Sequence, residues 1–235
     1  MSPRAVLFDL GNTLVNYYHG PEFHPILRDC LRRVDDAVGG QSNPEELFLR
    51  ALELNREAPD LAVRPLANRI CELFPTCMGR VEDEIDRICR AFMDPIFACA
   101  KVNDAAADVL DELRALGIRT GIVSNTPWGS PAALWREELI RHSLLHRVDV
   151  VVFCVDVGWR KPHPAPFLAA LQQLHATAQD AFFVGDDPRW DVEGARRAGL
   201  RPLLLSVDAE HRADCTVIRN LREVVGYAAG DTDAS

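Results

Sequence analysis

From residue 103 to residue 205, the sequence alternates between amphipathic patterns typical of helices and short apolar runs typical of buried strands. The helical patterns cover residues 103–116, 131–142, 164–174 and 191–198. The apolar runs cover residues 120–124, 148–154, 181–184 and 202–205. This alternation predicts an α/β fold, a Rossmann-like, doubly wound and mainly parallel sheet with helices on its faces.

The earlier part of the chain has a different character. One strand is predicted at residues 5–9, whereas residues 17–100 carry helical patterns separated by Pro and Gly, without a comparable strand. We therefore predict an α/β core formed by residues 1–16 and 101–235, into which residues 17–100 are inserted as an all-helical cap domain. The last residues, from position 228 onward, are small and polar, and we expect them to be disordered.

Polar and charged residues stand at or beyond the carboxyl ends of four predicted strands. In chain order they are Asp9, Ser124 with Asn125, Lys161, and Asp186 with Asp191. In a doubly wound sheet the carboxyl ends of the strands lie at one edge, where ligands bind. We therefore expect these groups to form a single site.

The chemistry of these groups is coherent. Asp9, Asp186 and Asp191 would form an all-oxygen pocket suited to a hard divalent cation such as Mg²⁺. Because closely packed carboxylates repel one another, they also require such a cation. Lys161 can hold a phosphate oxygen and keep Asp9 ionised, and Ser124 offers a hydroxyl and a backbone donor to the same phosphate. An ionised aspartate in this setting can attack phosphorus and form an aspartyl-phosphate.

Four short motifs, taken together, resemble those of the haloacid dehalogenase-like hydrolase superfamily in their order and spacing. They are Asp9-x-x-x-Thr13, Ser124, Lys161-Pro162 and Gly185-Asp186-x-x-x-x-Asp191. The resemblance covers the predicted α/β core, and the helical insertion stands where a subgroup of that superfamily carries an α-helical cap. It implies a hydrolase that acts on a small phosphorylated molecule.

The resemblance also implies roles for individual residues. Asp9 is the nucleophile, and Lys161 supports its reaction and binds the substrate phosphate. Ser124 and Asn125 are further substrate-binding residues.

A Mg²⁺ cofactor is implied at the same place. Asp9 and Asp186 are its ligands, and the backbone at Gly11 supplies a carbonyl ligand. Asp191 is a ligand or holds the ligands in place. An aspartate at this position can also cap the helix predicted over 191–198, so both interpretations stay open.

Gly11 departs from the pattern of the superfamily. Phosphatases of this group usually carry an aspartate there, which protonates the leaving oxygen and then activates water. General acid–base help is worth ~10² to 10⁴ in rate, so a slow phosphatase is expected unless the substrate, the cap or a nearby histidine, His19 or His24, supplies the proton. Dehalogenation, phosphoryl transfer to another acceptor, and a catalytically weak binding or regulatory role are the alternative functions.

Composition narrows the choice of partners. The net charge of −9, without a basic block, argues against a nucleic-acid partner. No apolar stretch reaches membrane-spanning length, and the seven scattered cysteines include no Cys-x-x-Cys pair. We expect reduced thiols, a cytoplasmic location, no membrane contact, and either a monomer or a homodimer.

Aromatic residues flank the predicted motifs. Tyr17 and Tyr18 stand at the junction of core and cap, and Trp128 and Trp159 follow the second and third motif regions. Each of them is expected either to pack at the junction or to line the mouth of the site.

Overall fold

In the computed structural model, residues 4–56, 59–208, 212 and 214–230 are described. The strands are β1 (Ala5–Phe8), β2 (Val15–Asn16), β3 (Lys101–Val102), β4 (Arg119–Ser124), β5 (Val150–Phe153), β6 (Ala181–Gly185), β7 (Arg201–Leu205) and β8 (Thr216–Ile218). Six of them form one sheet in the order β5-β4-β1-β6-β7-β8, and each neighbouring pair is parallel. This arrangement confirms the predicted Rossmann-like α/β fold.

Helices connect the strands of the sheet. They are α1 (Phe23–Val38), α2 (Pro44–Leu54), α3 (Leu66–Leu73), α4 (Glu82–Ala98), α5 (Ala106–Ala115), α6 (Ala132–Arg141), α7 (Cys154–Val157), α8 (Ala165–Gln173), α9 (Gly194–Arg197) and α10 (Glu223–Ala229). A π-helix over Pro188–Glu193 leads directly into α9. Because each crossover returns the chain to the start of a parallel strand, all six carboxyl ends lie at the same edge of the sheet.

Strand β1 lies in the middle of the sheet, and its position explains its composition. All its side chains are buried, as expected for a strand covered on both faces. Val6 and Phe8 belong to the core on one face of the sheet, and Ala5 and Leu7 belong to the core on the other. This alternation carries the chain to Asp9 at the sheet edge without exposing the strand.

The predicted helical stretch contains α1–α4, which lie between β2 and β3. Each of these helices buries one stripe of apolar residues. At the start of α2 the Asn43 side chain accepts hydrogen bonds from the backbone N–H groups of Glu45 and Glu46, which satisfies two donors of the first turn. The limits of the two predicted domains stay a prediction.

Two backbone hydrogen bonds join the segment before α3 to the loop after α7. Val63 donates to the carbonyl of Gly158, and Arg160 donates to the carbonyl of Leu61, both at 2.9 Å. This contact places the helical segment beside the carboxyl ends of the strands.

Several short elements were not predicted from the sequence. These are the antiparallel pair β2 and β3, the edge strand β8, and the helices α7 and α10. Two-residue and three-residue strands carry too little periodicity to be recognised. Residues 228 and 229 end α10, and Ala228 is buried, so the expectation of disorder is wrong there. Residues 231–235 lie outside the described part of the chain.

Within the described residues, every helix is too short or too polar to cross a lipid bilayer. All seven cysteines are free thiols, and four of them are buried.

Candidate active site

Three carboxylates meet at the edge of the sheet where β1 and β6 end. Asp9 follows β1 directly, and its backbone N–H donates to the Val184 carbonyl of β6 at 2.8 Å. One oxygen from each of Asp9, Asp186 and Asp191 lies within 4.8 Å of the other two. Oxygen donors this close are able to hold a metal ion. The structure therefore brings together the three predicted carboxylate ligands.

Lys161 reaches into this group from the loop between α7 and α8. Its Nζ donates to Oδ1 of Asp9 and to Oδ1 of Asp191, at 2.6 Å each. The side chain is only 2% exposed, so these ion pairs are shielded from water. An ammonium group has three N–H donors, and these two carboxylates accept from two of them.

Burial and the repulsion of neighbouring carboxylates raise the pKa values of Asp186 and Asp191. Burial is the main reason that the pKa of Asp186 rises to about 7, and the charges of Asp9 and Asp191 raise it further. Burial also raises the pKa of Asp191, although Lys161 opposes this shift. For Lys161, burial lowers the pKa, but Asp191 and Asp9 outweigh that effect and the net pKa is raised. The cluster thus favours a bound cation when all three carboxylates are ionised.

Asp191 is held in place by the backbone around it. Its Oδ2 accepts a hydrogen bond of 3.1 Å from the N–H of Asp187, and its carboxylate lies against Gly185. A methyl group at Gly185 would overlap that carboxylate. The glycine before the aspartate pair is therefore needed for the close approach of Asp191 to β6.

The helix after β6 begins earlier than the sequence predicts. It starts at Pro188 as a π-helix, and Asp187 caps it by accepting hydrogen bonds from the N–H groups of Arg189 and Trp190. Asp191 lies inside this helix, and its carboxylate is turned to Lys161. The prediction of a helix starting at 191 is wrong, because a cap and a proline at 187–188 begin it three residues sooner.

The loop after β4 contributes Ser124 and Asn125. Ser124 is buried and lines the cavity above the carboxylates. Asn125 also lines it, but its side chain is paired with the backbone of Lys161. Oδ1 accepts from the Lys161 N–H at 2.8 Å, and Nδ2 donates to the Lys161 carbonyl at 3.2 Å. This amide holds two loops together and fixes the position of Lys161.

A cavity of about 340 Å³ opens above this edge of the sheet. Its floor includes the predicted residues Asp9, Gly11, Ser124, Asn125, Lys161, Asp186 and Asp191. Gly11 has no other atom within 4 Å of the place where a side chain would begin. The site therefore has space for a side chain at position 11.

The walls of the cavity contain residues that sequence reasoning did not identify. They include Asn55, Arg64 and Arg69 from the helical segment, and Arg160 from the loop that carries Lys161. An arginine next to the predicted phosphate-binding lysine was the one available signal for Arg160. Nothing in the local sequence distinguishes Arg69 from other helix arginines.

The aromatic residues at the junction have distinct positions. Tyr17, Tyr18 and Trp128 line the cavity, whereas Trp159 is partly exposed and stacks on His163 at a centroid distance of 4.5 Å. The described lining contains no histidine. His19 lines a neighbouring cavity together with Asn12 and Asp186, so a proton donated by His19 or His24 stays a prediction.

The comparisons with known proteins agree with this geometry. The model of the haloacid dehalogenase-like hydrolase family matches residues 3–199. A glyceraldehyde 3-phosphate phosphatase from Methanopyrus kandleri is 28% identical over 202 residues, which make up 84% of this chain and 81% of the relative. A phosphoglycolate phosphatase from Rhodospirillum rubrum is 32% identical over 213 residues, or 87% of this chain and 80% of the relative.

Solved structures share the fold. A crystal structure of a HAD phosphatase from Thermococcus onnurineus aligns with a TM-score of 0.69 and 24% identity, and covers 97% of this chain and 98% of that chain. This chain belongs to the haloacid dehalogenase-like hydrolase family, as the motifs indicated. It is an enzyme, a hydrolase of that family.

Proposed function

We propose that this hydrolase is a Mg²⁺-dependent phosphatase of small phosphomonoesters, and that Asp9 carries the phosphoryl group as an aspartyl-phosphate. The observation that carries the proposal is the buried Lys161 Nζ, which contacts both Asp9 and Asp191 at 2.6 Å while Asp186 lies in the same cluster. Related enzymes that are phosphatases support the same choice of substrate class.

The first chemical step takes place on Asp9. Its free carboxylate oxygen attacks phosphorus, so that an Asp9–phosphorus bond forms while the bond from phosphorus to the ester oxygen breaks. Lys161 keeps Asp9 ionised and holds a phosphate oxygen with its third N–H. Ser124 donates to another phosphate oxygen. The leaving alkoxide takes its proton from water or from the substrate, because Gly11 has none to give.

In the second step, water attacks the same phosphorus atom and gives up a proton to the surrounding water. The bond between phosphorus and Asp9 breaks, inorganic phosphate leaves, and Asp9 returns as a carboxylate. The net reaction consumes one ester and one water and yields one alcohol and one phosphate.

The proposed Mg²⁺ site consists of Asp9, Asp186 and Asp191 with a backbone carbonyl at Gly11. The donors fit this ion, because all are oxygens, and a cation would offset the burial and the neighbouring carboxylate charges that raise the pKa of Asp186. When bound, Mg²⁺ supplies neutralisation of the charge that builds up on the phosphoryl oxygens.

We further propose that the helical segment over residues 17–100 acts as a cap. Its residues Asn55, Arg64 and Arg69 form part of the cavity wall opposite the sheet edge. A wall of this kind excludes water from the phosphoryl group and contacts the remainder of the substrate.

Hydrolysis of p-nitrophenyl phosphate tests the proposal. Its good leaving group needs little protonation, so the missing aspartate at Gly11 matters least here. We expect turnover with Mg²⁺ and loss of turnover with EDTA. Asp9→Asn should abolish it, since an amide is not a nucleophile for phosphorus.

Asp180→Asn is the matched control. Asp180 precedes β6 at the opposite end of the strand that leads to Asp186, and it accepts from the Thr177 hydroxyl. It should keep wild-type turnover. Unchanged turnover in Asp9→Asn would refute the aspartyl-phosphate. Release of halide from a 2-haloacid without Mg²⁺, and no hydrolysis of the ester, would favour dehalogenation instead.

A further inference from the structure

The charge of the cavity differs between its floor and its wall. The floor carries the aspartate cluster and Lys161, whereas the wall carries the guanidinium groups of Arg64, Arg69 and Arg160. Like charges gathered around one space repel one another unless an anion lies between them. The packing of the fold alone therefore does not explain why three arginines surround one cavity.

Arg69 is the most informative of the three arginines. It lies on α3 and is only 8% exposed, which is rare for an arginine without a charged partner. Its Nη1 donates to Asn55 Oδ1 at 3.1 Å, but its buried Nε has no acceptor within the described residues. A buried guanidinium with open donors is expensive unless an anion binds it.

The other two arginines differ in their partners. Arg64 is exposed and pairs with Asp60 at 3.1 Å. Arg160 forms no ion pair with any described residue, and its Nε is also buried without an acceptor. Burial lowers the pKa of Arg69, and the nearby charges of Arg160 and Arg64 lower it further. Arg69 and Arg160 thus present unpaired positive charge to the same cavity.

The buried side chain of Trp128 packs beside Arg69, and the backbone of Trp128 has an unfavourable conformation there. The Trp128 ring lies 5.5 Å from the Arg69 guanidinium and 5.2 Å from the Phe92 ring. Trp128 adopts a left-handed backbone with φ 60°, a conformation that is unfavourable for residues other than glycine. The aromatic ring thus fixes the guanidinium at the cavity wall.

We infer that the substrate carries a second anionic group, a carboxylate or a second phosphate, which Arg69 and Arg160 bind at the cavity wall. The inference rests on the proposed phosphatase function, because it takes the first phosphate to lie on the floor at Lys161 and Ser124. A guanidinium offers paired N–H donors that match either anion. The substrate class is therefore small phosphate monoesters with an acidic group at the other end.

The test compares esters that differ only in that group. The first pair is 2-phosphoglycolate and 2-hydroxyethyl phosphate, and the second is 1,3-propanediol bisphosphate and 3-hydroxypropyl phosphate. Hydrogen bonds to charged groups correspond to a factor of about 10 or more. Wild-type kcat/KM should therefore favour at least one ester with the second anionic group over its matched ester by about that factor. The pair with the larger preference identifies the carboxylate or the phosphate.

Variants then assign the preference to the arginines. Arg69→Met and Arg160→Met should each lower kcat/KM by about 10-fold more for the ester with the second anionic group than for the matched ester without it. Arg69→Lys should restore part of the preference. Arg50→Met is the matched control, because Arg50 lies on α2 and contacts the Glu72 carbonyl outside the cavity.

A binding measurement separates this inference from the proposed chemistry. The dissociation constants of 2-phosphoglycolate and 1,3-propanediol bisphosphate, measured by calorimetry on Asp9→Asn and on Asp9→Asn with Arg69→Met, do not depend on turnover. Weaker binding of either ligand to the double variant supports the second-anion site even if no ester is hydrolysed. Equal dissociation constants for the two proteins would overturn it. An equal loss of kcat/KM for the ester with the second anionic group and for its matched ester, in both Arg69→Met and Arg160→Met, would also overturn it.

Discussion

Gly11 is the position at which the motifs predict a departure from the family pattern. The structure leaves open space there, since no atom lies within 4 Å of the position that a Cβ would occupy. An aspartate at this position would stand in the cavity that Asp9 and Lys161 share. The absence of a side chain is therefore a chemical difference and not a consequence of crowding.

Gly11→Asp should raise kcat for alkyl phosphates, because the new carboxyl group can protonate a poor leaving group. General acid help is worth ~10² to 10⁴, and a gain of about 10² is expected for a first substitution. The increase in kcat for p-nitrophenyl phosphate should be smaller, because its leaving group needs little protonation. Steady-state kinetics with both esters measure the difference.

Gly11→Asn is the control, since it has the same shape and no acidic proton. If Gly11→Asp folds and shows no gain, the substrate or the cap already supplies the proton.

Gly185 is needed for the position of Asp191. In Gly185→Ala, the added methyl group overlaps the Asp191 carboxylate and must displace it. We expect about 10- to 100-fold weaker Mg²⁺ binding, the range found when groups that support metal ligands are changed. Isothermal calorimetry of Mg²⁺ binding measures the change. Gly226→Ala is the control, because Gly226 on α10 has open space around it; equal affinities in the two variants would contradict the role of Gly185.

At the scale of elements, the loop after β4 meets the segment before α3. Gly129 has φ +68°, and a methyl group there would overlap the carbonyl oxygen of Arg64. This contact, together with the hydrogen bonds between the loop after α7 and the same segment, joins the sheet edge to the cavity wall. The wall arginines depend on this junction for their position.

Gly129→Ala should destabilise the protein by more than the backbone penalty alone. That penalty is ~1–2 kcal/mol for an L-residue in the left-handed region, and the overlap with Arg64 adds to it. Gly79→Ala separates the two effects, because Gly79 has φ +83° with no atom within 4 Å. Urea unfolding of both variants measures the free energies; equal losses would show that the junction tolerates the added carbon.

At the scale of the whole molecule, the carboxylate cluster links stability to pH and to Mg²⁺. The pKa of Asp186 is raised to about 7 in the folded protein, mainly by burial. The folded state therefore binds more protons than the unfolded state at weakly acidic pH. Without metal, this group's contribution to the free energy of unfolding falls as the pH rises from about 4 to about 7.

Mg²⁺ should oppose this fall in the free energy of unfolding with rising pH, because it binds the ionised carboxylates. The increase in melting temperature produced by Mg²⁺ should be small at pH 5 and should grow through pH 7, and a concentration of 100 times Kd should contribute about 2.7 kcal/mol. Differential scanning fluorimetry with and without the ion measures it. In Asp186→Asn the pH dependence should flatten; an unchanged profile would mean that Asp186 is not the titrating group.

Much of this protein follows from its sequence alone. The fully apolar β1 predicts a strand buried on both faces, and the turn after it predicts that Asp9 stands at the sheet edge. The alternation of strands and helices predicts the parallel sheet, and the order of Asp9, Ser124, Lys161 and Asp186 predicts one site. These features are encoded by local pattern and chain order, which constrain each segment before it meets the others.

Other features are set only by tertiary structure. In the sequence, nothing distinguishes Arg69 from other helix arginines. In the folded protein α3 packs beside Trp128, and the Arg69 guanidinium is buried. The sequence pattern around Asn125 indicates only a turn. The hydrogen bonds between the Asn125 amide and the Lys161 backbone form only in the folded chain. Both depend on contacts between segments distant in sequence, and burial and charge at such contacts arise only when the elements pack.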